Sequence, residues 1–201
     1  MAKRLVLLVD GGYMRAQARK ANPPRVFDAA LVTALANRCV DPATEELHRV
    51  LYYDCPEYSG TVQLPISRAP HIFAGTDALL RDLAARDHFA VREGSLRFRG
   101  WDRKRVPPGQ AAPAAPPTDA DFKPKFVQKG IDMRIGLDIA TYAASDRIDR
   151  LGLVTADTDL VPALKHARRA GLQVTVYELP GQRLHRDLIE HADIRRVLAW
   201  P

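Results

Sequence analysis

The apolar positions of this chain fall into short runs of strand length, separated by stretches with helical spacing. Leu5-Val6-Leu7-Leu8-Val9 is the first run and predicts a strand from Arg4 to Val9. Further strands are expected over Leu47 to Tyr53, Leu151 to Thr155, Leu172 to Tyr177 and Ile194 to Leu198. Between them, apolar residues three and four apart predict helices at Phe27 to Arg38, Ala78 to Arg86, Gly130 to Ala144, Asp159 to Ala170 and Leu184 to His191. His88 to Arg99 reads as two short strands turning at Glu93-Gly94, and Asp54 to Arg68 as a turn-rich connection. Val106 to Thr118 is Pro/Ala-rich and reads as an extended loop. Strands this continuously apolar are buried on both faces, as in a parallel sheet covered by helices. The expected fold is a single α/β domain over 1–201, a three-layer α/β/α sandwich with a mainly parallel central sheet. A basic hairpin and flexible loop form an insertion at about 92–128.

Composition narrows the class. A chain of 201 residues can bury one substantial core. Its apolar runs are too short for a membrane-spanning helix, and the N-terminal run, closed by Asp10, is too short for a signal-peptide core. A cytoplasmic protein with no membrane partner is the expectation. Cys39 and Cys55 lack paired-ligand spacing, so neither a disulfide framework nor a zinc site is expected. The six histidines are scattered singly, without a nucleophile pattern. The net charge is +6, and the segment Arg92 to Lys129 alone holds nine Lys/Arg against four acids. Phe98, Trp101, Phe122 and Phe126 are interleaved with those cations. Cations and rings together suit a nucleic-acid backbone and its bases, although a solvated hairpin explains the charge as well.

The candidate chemistry lies in the aspartates. Asp10 ends the first apolar run, Asp157 and Asp159 follow Leu151-Gly152-Leu153-Val154-Thr155, and Asp132 opens a helix-like segment. Carboxyl ends of parallel strands and adjacent helix starts converge on one crevice. Carboxylates gathered there repel one another unless a divalent cation joins them, and hard oxygen ligands suit Mg²⁺ or Mn²⁺. Plain structural readings stand beside this one. Asp10 and one of the Asp157/Asp159 pair can serve as helix caps, Asp132 as a first-turn acid, and Asp138 as an i,i+4 partner of Arg134. Asp10-Gly11-Gly12 carries neither the dinucleotide fingerprint nor the phosphate-loop Gly-Lys-Ser/Thr. Asp157-x-Asp159-x-Val161 also fits the nucleophile motif of haloacid-dehalogenase-like phosphatases, but too little chain follows for their later motifs.

Four segments in order resemble the NYN domain family of PIN-like ribonucleases, in its bacterial stand-alone branch. They are Val9-Asp10-Gly11-Gly12, Lys129-Gly130-Ile131-Asp132 with Asp138, Val154-Thr155-Ala156-Asp157-Thr158-Asp159-Leu160-Val161-Pro162, and Leu188-Ile189-Glu190-His191-Ala192-Asp193. Departures are Tyr13 where the family often has Asn, Thr155-Ala156 for Ser-Gly, and Leu160 for Phe. The resemblance implies metal-dependent hydrolysis of RNA phosphodiesters. Asp10, Asp132 and Asp157 would hold Mg²⁺ or Mn²⁺, with Asp138 a further candidate ligand and Asp159 orienting water or completing the shell. Lys129, Arg134, Arg97, Arg99, Arg103, Lys104 and Arg105 would hold single-stranded or structured RNA, and Trp101 would stack on an unpaired base. A PIN-like RNA-binding or regulatory protein that no longer cuts is the competing class, and a homodimer is left open.

Overall fold

The computed structural model describes residues 2–106 and 115–201, so most of the Pro/Ala-rich loop lies outside the described residues. The strands are β1 (Lys3–Asp10), β2 (Glu45–Asp54), β3 (Gly60–Gln63), β4 (Pro70–Phe73), β5 (Phe89–Glu93), β6 (Ser95–Arg103), β7 (Phe122–Lys129), β8 (Arg150–Val154), β9 (Gln173–Glu178) and β10 (Ile194–Val197). The helices are α1 (Gly11–Lys20), α2 (Ala29–Cys39), α3 (Ala78–Ala84), α4 (Ile131–Ala143), α5 (Val161–Arg169) and α6 (Arg186–Glu190). They form two compact units, one of Met1–Asp54, Ala78–Gly94 and Gly130–Pro201, the other of Cys55–Asp77 and Ser95–Lys129.

In the first unit six strands form one sheet in the order β10-β9-β8-β1-β2-β5, with every pairing parallel. Both faces are covered, because Leu5 through Val9 are all buried. One side of the sheet gives Leu7, Val9, Val50 and Tyr52 to a core shared with Met14 of α1, Val32 and Leu35 of α2, and Leu80 and Leu83 of α3. Strand alternation turns Tyr53 to the opposite side, where its hydroxyl meets α4. There Ile131, Ile135 and Ile139 form the buried stripe of α4, at the i,i+4,i+8 spacing of one helix face. The expected α/β/α sandwich with a parallel sheet is the observed fold.

At the amino ends of the strands, Glu45 is fully buried and accepts from Arg196 at 2.8 and 2.9 Å and from Arg150. A buried carboxylate needs such partners, since an unpaired one would be strongly destabilising. Asp193, the last residue of the fourth motif, belongs to this end too. It accepts from the Val174 backbone N–H at 2.8 Å and Arg168 Nε at 2.9 Å.

The second unit is made of two antiparallel ribbons, β3–β4 and β6–β7. Two local expectations change here and in the first unit, and one helix was not expected. The hairpin expected at Glu93-Gly94 is not one, because β5 joins the main sheet beside β2 while β6 turns away to pair with β7. Gly94 N–H donates to Asp54 O at 2.9 Å, extending the β2–β5 ladder to the point where the chain leaves it. The turn-rich stretch contains β3. Helix α1 lacks a sequence expectation because it is mostly polar, and of its ten residues only Gly11, Met14, Gln17 and Ala18 are buried. Cys39 and Cys55 are free thiols, both buried, and among the described residues no helix is long and apolar enough to cross a membrane.

Candidate active site

The chain enters the sheet at β1, builds β2 and β5 to one side, then returns to lay β8, β9 and β10 on the other. The order therefore reverses between β1 and β8, and a crevice opens outside the carboxyl ends of those two strands. Asp10 is the last residue of β1, and Val9 pairs with Val154, the last residue of β8. That register brings Asp10 beside Thr155. The Thr155 hydroxyl donates to Asp10 Oδ2 at 3.0 Å and its Oγ1 accepts the Asp157 backbone N–H at 3.2 Å. One threonine thus ties the two strand ends together, and the hydroxyl retained where the family has serine explains how Thr155 substitutes.

Asp10 also caps α1, accepting the Tyr13 N–H on Oδ1 at 3.0 Å. Asp157 caps the 3₁₀ turn Thr158–Leu160 through the Asp159 N–H at 2.9 Å. Both plain capping readings are therefore realised. Capping leaves their charges in place, however. Burial is the main cause that raises the Asp10 carboxyl above its usual range, opposed by its bonds to Tyr13 and Thr155, with Asp54 and Asp132 adding repulsion. Asp132 stands exposed in the first turn of α4, after Gly130, whose φ of 82° suits glycine. A helix start should favour its charge. Even so its carboxyl is raised, by desolvation first and then by Asp157 and Asp159. Asp10, Asp132, Asp157 and Asp159 therefore share one electrostatic neighbourhood. Among the described residues, none of the four has a Lys or Arg ion pair in a protein of net charge +6.

Asp54 is an acid that the sequence pattern does not flag, because it reads as the end of β2. It is fully buried, accepting from Arg15 Nη2 at 2.5 Å and the Tyr52 hydroxyl at 3.0 Å. Gly11 is packed against this pair. A Cβ there would lie 2.4 Å from the Tyr52 hydroxyl and 2.7 Å from Asp54 Oδ2, so only glycine lets the turn after Asp10 sit so low. Arg15 is held from its other side by the Phe27 ring, 5.2 Å from the guanidinium carbon.

Asp138 occupies a different constellation. Its Oδ2 accepts the Tyr53 hydroxyl at 2.8 Å and Arg92 Nε at 3.1 Å, so its cation comes from β5 rather than from Arg134. Arg134 is exposed on α4. Tyr13 points its ring into the hydrophobic core, with its hydroxyl buried and burial pushing its pKa up to about 12. At this position the site uses only the backbone N–H.

Lys129, Arg97, Arg99, Trp101, Arg103, Lys104 and Arg105 all belong to the second unit, and the six cations among them are exposed. Trp101 is half-buried. Its indole N–H donates to Gln63 O at 2.8 Å, and its ring stands edge-on to His71 and Phe98.

Fold and switch-point acids together define a PIN-like α/β domain. The chain belongs to the NYN domain family, whose model matches residues 97–197. That match contains Asp132, Asp138, Asp157 and Asp159, while Asp10 lies outside it and is brought to the end of β8, beside Thr155, by the β1–β8 pairing. No curated protein matches the chain. Among solved structures it is similar to a Vibrio parahaemolyticus protein described as of unknown function, at 18% identity and a TM-score of 0.55, covering 98% of this chain and 93% of that one. That likeness concerns the fold.

The raised carboxyls of Asp10 and Asp132 have a measurable consequence. A carboxyl whose folded pKa lies above its unfolded value contributes stability only at low pH, and that contribution is lost as pH rises through the folded pKa. At neutral pH the charged Asp10 is therefore a cost to the fold. In chelator at pH 7, Asp10→Asn, which keeps an oxygen for the Tyr13 N–H and can turn its amide N–H to Thr155 Oγ1, should raise the melting temperature, and the gain should vanish below the carboxylate range. A lower melting temperature at neutral pH would contradict this electrostatic picture.

Proposed function

We propose that this NYN domain hydrolyses RNA phosphodiester bonds with a divalent cation held at the switch-point acids. The observation that carries the reading is the mutual repulsion linking Asp10, Asp132, Asp157 and Asp159, none of which has a Lys or Arg ion pair among the described residues. Membership of a PIN-like nuclease family supports hydrolysis as the activity class. The donor set suits a hard ion, since it consists of carboxylate oxygens alone. Among the described residues, no three acidic, histidine or cysteine side chains converge into a finished shell, so water and substrate oxygens would complete it. Asp10, Asp132 and Asp157 are the proposed ligands, with Asp138 a more remote candidate already bonded to Tyr53 and Arg92. When bound, Mg²⁺ or Mn²⁺ would supply a lowered water pKa and neutralise charge developing on the phosphoryl oxygens.

The chain's own residues do the rest. Thr155 fixes the Asp10 carboxylate and the Asp157 backbone in register, so that two ligands from different strands keep one geometry. Asp159, exposed beside Asp157, would orient the attacking water. Lys129, Arg134 and the cations from Arg97 to Arg105 would hold the RNA backbone. Labelled single-stranded RNA should be cut by the purified protein with Mn²⁺, spared in chelator, and cut again when Mn²⁺ is restored. Cutting that persists in chelator would sink the metal reading.

One observation favours the second reading, an RNA-binding protein that does not cut. Tyr13 turns its side chain into the core, so no amide stands at that position beside Asp10. Intact RNA under every divalent metal, with binding retained, is the outcome that would select it.

A further inference from the structure

Alternation along β6 puts Leu96 and Phe98 on one face of the ribbon and Ser95, Arg97 and Arg99 on the other. Across the ribbon, Phe98 pairs with Phe126, Arg97 with Val127 and Ser95 with Lys129. Residues directly opposite each other share a face, so Lys129 joins Arg97 and Arg99. A bulge between Phe98 and Trp101, with Gly100 at φ 97°, adds one residue and turns Trp101 back to the Phe98 side. The inner rings are half-buried and in contact with one another. Phe98 lies 5.8 Å from Phe126, 5.5 Å from Trp101 and 6.1 Å from both Tyr58 and Phe73. Phe126 lies 5.4 Å from both Tyr58 and Phe73. These rings are the core of the second unit.

The opposite face is charged and bare of rings. Arg97, Arg99 and Lys129 are exposed there, and among the described residues none has an ion pair. Lys125 is balanced at 3.5 Å by Asp102. The remaining acids of this segment are spent locally. Asp119 holds the backbone N–H groups of Ile66 and Ser67, and Asp121 holds Thr118. Cations two residues apart on a strand stand roughly 7 Å from each other, a step on the scale of successive phosphates in an extended polynucleotide.

From this separation of rings and cations we propose that the outer face of the β6–β7 ribbon binds an extended single strand of RNA through its phosphates and is blind to its bases. The indole N–H of Trp101 is bonded to Gln63 O, and its ring packs with His71, Phe73 and Phe98 on the ring side of the ribbon rather than the cation side. The proposal rests on RNA being the ligand and adds how it is held. Recognition is by charge and spacing, so the track discriminates single strands by length rather than by sequence.

The test uses the full chain carrying Asp157→Asn and Trp200→Phe, in chelator, so that RNA is not cut and Trp101 is the sole indole. Binding of a labelled 20-nucleotide RNA is compared with binding of an abasic strand of equal length, by anisotropy across a salt series. The expected result is affinities within about threefold, unchanged Trp101 emission, and a logarithmic salt slope lowered by about 2 in Arg97→Gln/Arg99→Gln/Lys129→Gln, three phosphate contacts at roughly 0.7 each. A tenfold or greater loss for the abasic strand with quenching of Trp101 would overturn the proposal, as would an unaltered slope in the triple variant. The nuclease reading is scored separately by cleavage with Mn²⁺ in the native chain. Cleavage whose KM ignores the three substitutions removes the ribbon proposal alone, and slope-dependent binding without cleavage removes the nuclease reading alone.

Discussion

Arg15→Met should destabilise the protein by about 3–5 kcal/mol, the usual cost of stripping one partner from a buried ion pair. Asp54 is fully buried, and Arg15 reaches it at 2.5 Å from α1. Methionine keeps an unbranched apolar side chain but leaves a carboxylate where water does not reach, with Tyr52 still donating to it. For a chain of this length each kcal/mol moves the melting temperature by about 2–4 °C, so the loss should be plain in a thermal or urea transition. Adding Asp54→Leu to Arg15→Met should return much of the stability, because the cost lies in burying the carboxylate without the Arg15 charge beside it rather than in lost attraction. A single variant as stable as the native chain would show that this pair does not hold α1 under the site. The pair lies directly below Gly11, so its loss should also disturb the turn that carries Asp10.

Asp157→Asn should lower the cleavage rate by about a thousandfold, since ligand loss forfeits several kcal/mol of charge stabilisation at roughly 1.4 kcal/mol per decade. The fold should be untouched. Asparagine still accepts the Asp159 N–H, and the Thr155 bond runs through the Asp157 backbone rather than its side chain. Single-turnover cleavage with a melting curve beside it separates the two effects. Native-like turnover in this variant would remove Asp157 from the site.

The architecture was legible because its signals are local and periodic. Five consecutive apolar residues in β1 announce a strand covered on both sides, and the i,i+4 pair Ile131 and Ile135 announces a helix, whose buried stripe Ile139 completes. The acids were legible for a related reason, since an aspartate closing an apolar run stands at a strand end whatever the topology. What escaped depends on long-range pairing. Asp54 looks like a strand terminus until the β1–β2 register sets it under Gly11. Helical spacing pairs Asp138 with Arg134, yet Arg92 reaches it from another element entirely. Periodicity cannot see such a partner. Trp101 offered a ring among cations, and only the bulge at Gly100 shows which face it takes. Glu93-Gly94 carried a turn signal that the parallel pairing of β5 with β2 overrode.

On the proposed function, the carboxylates at the β1–β8 switch point hold a divalent cation for RNA hydrolysis. Electron paramagnetic resonance of added Mn²⁺ tests it most directly, because the free ion's signal is lost on binding and no cleavage is needed to read it. The native chain should remove at least one Mn²⁺ per molecule from the free pool, and the Asp132→Asn/Asp157→Asn chain should leave it free. Equal uptake by both chains, or none by the native one with RNA present, would contradict the account.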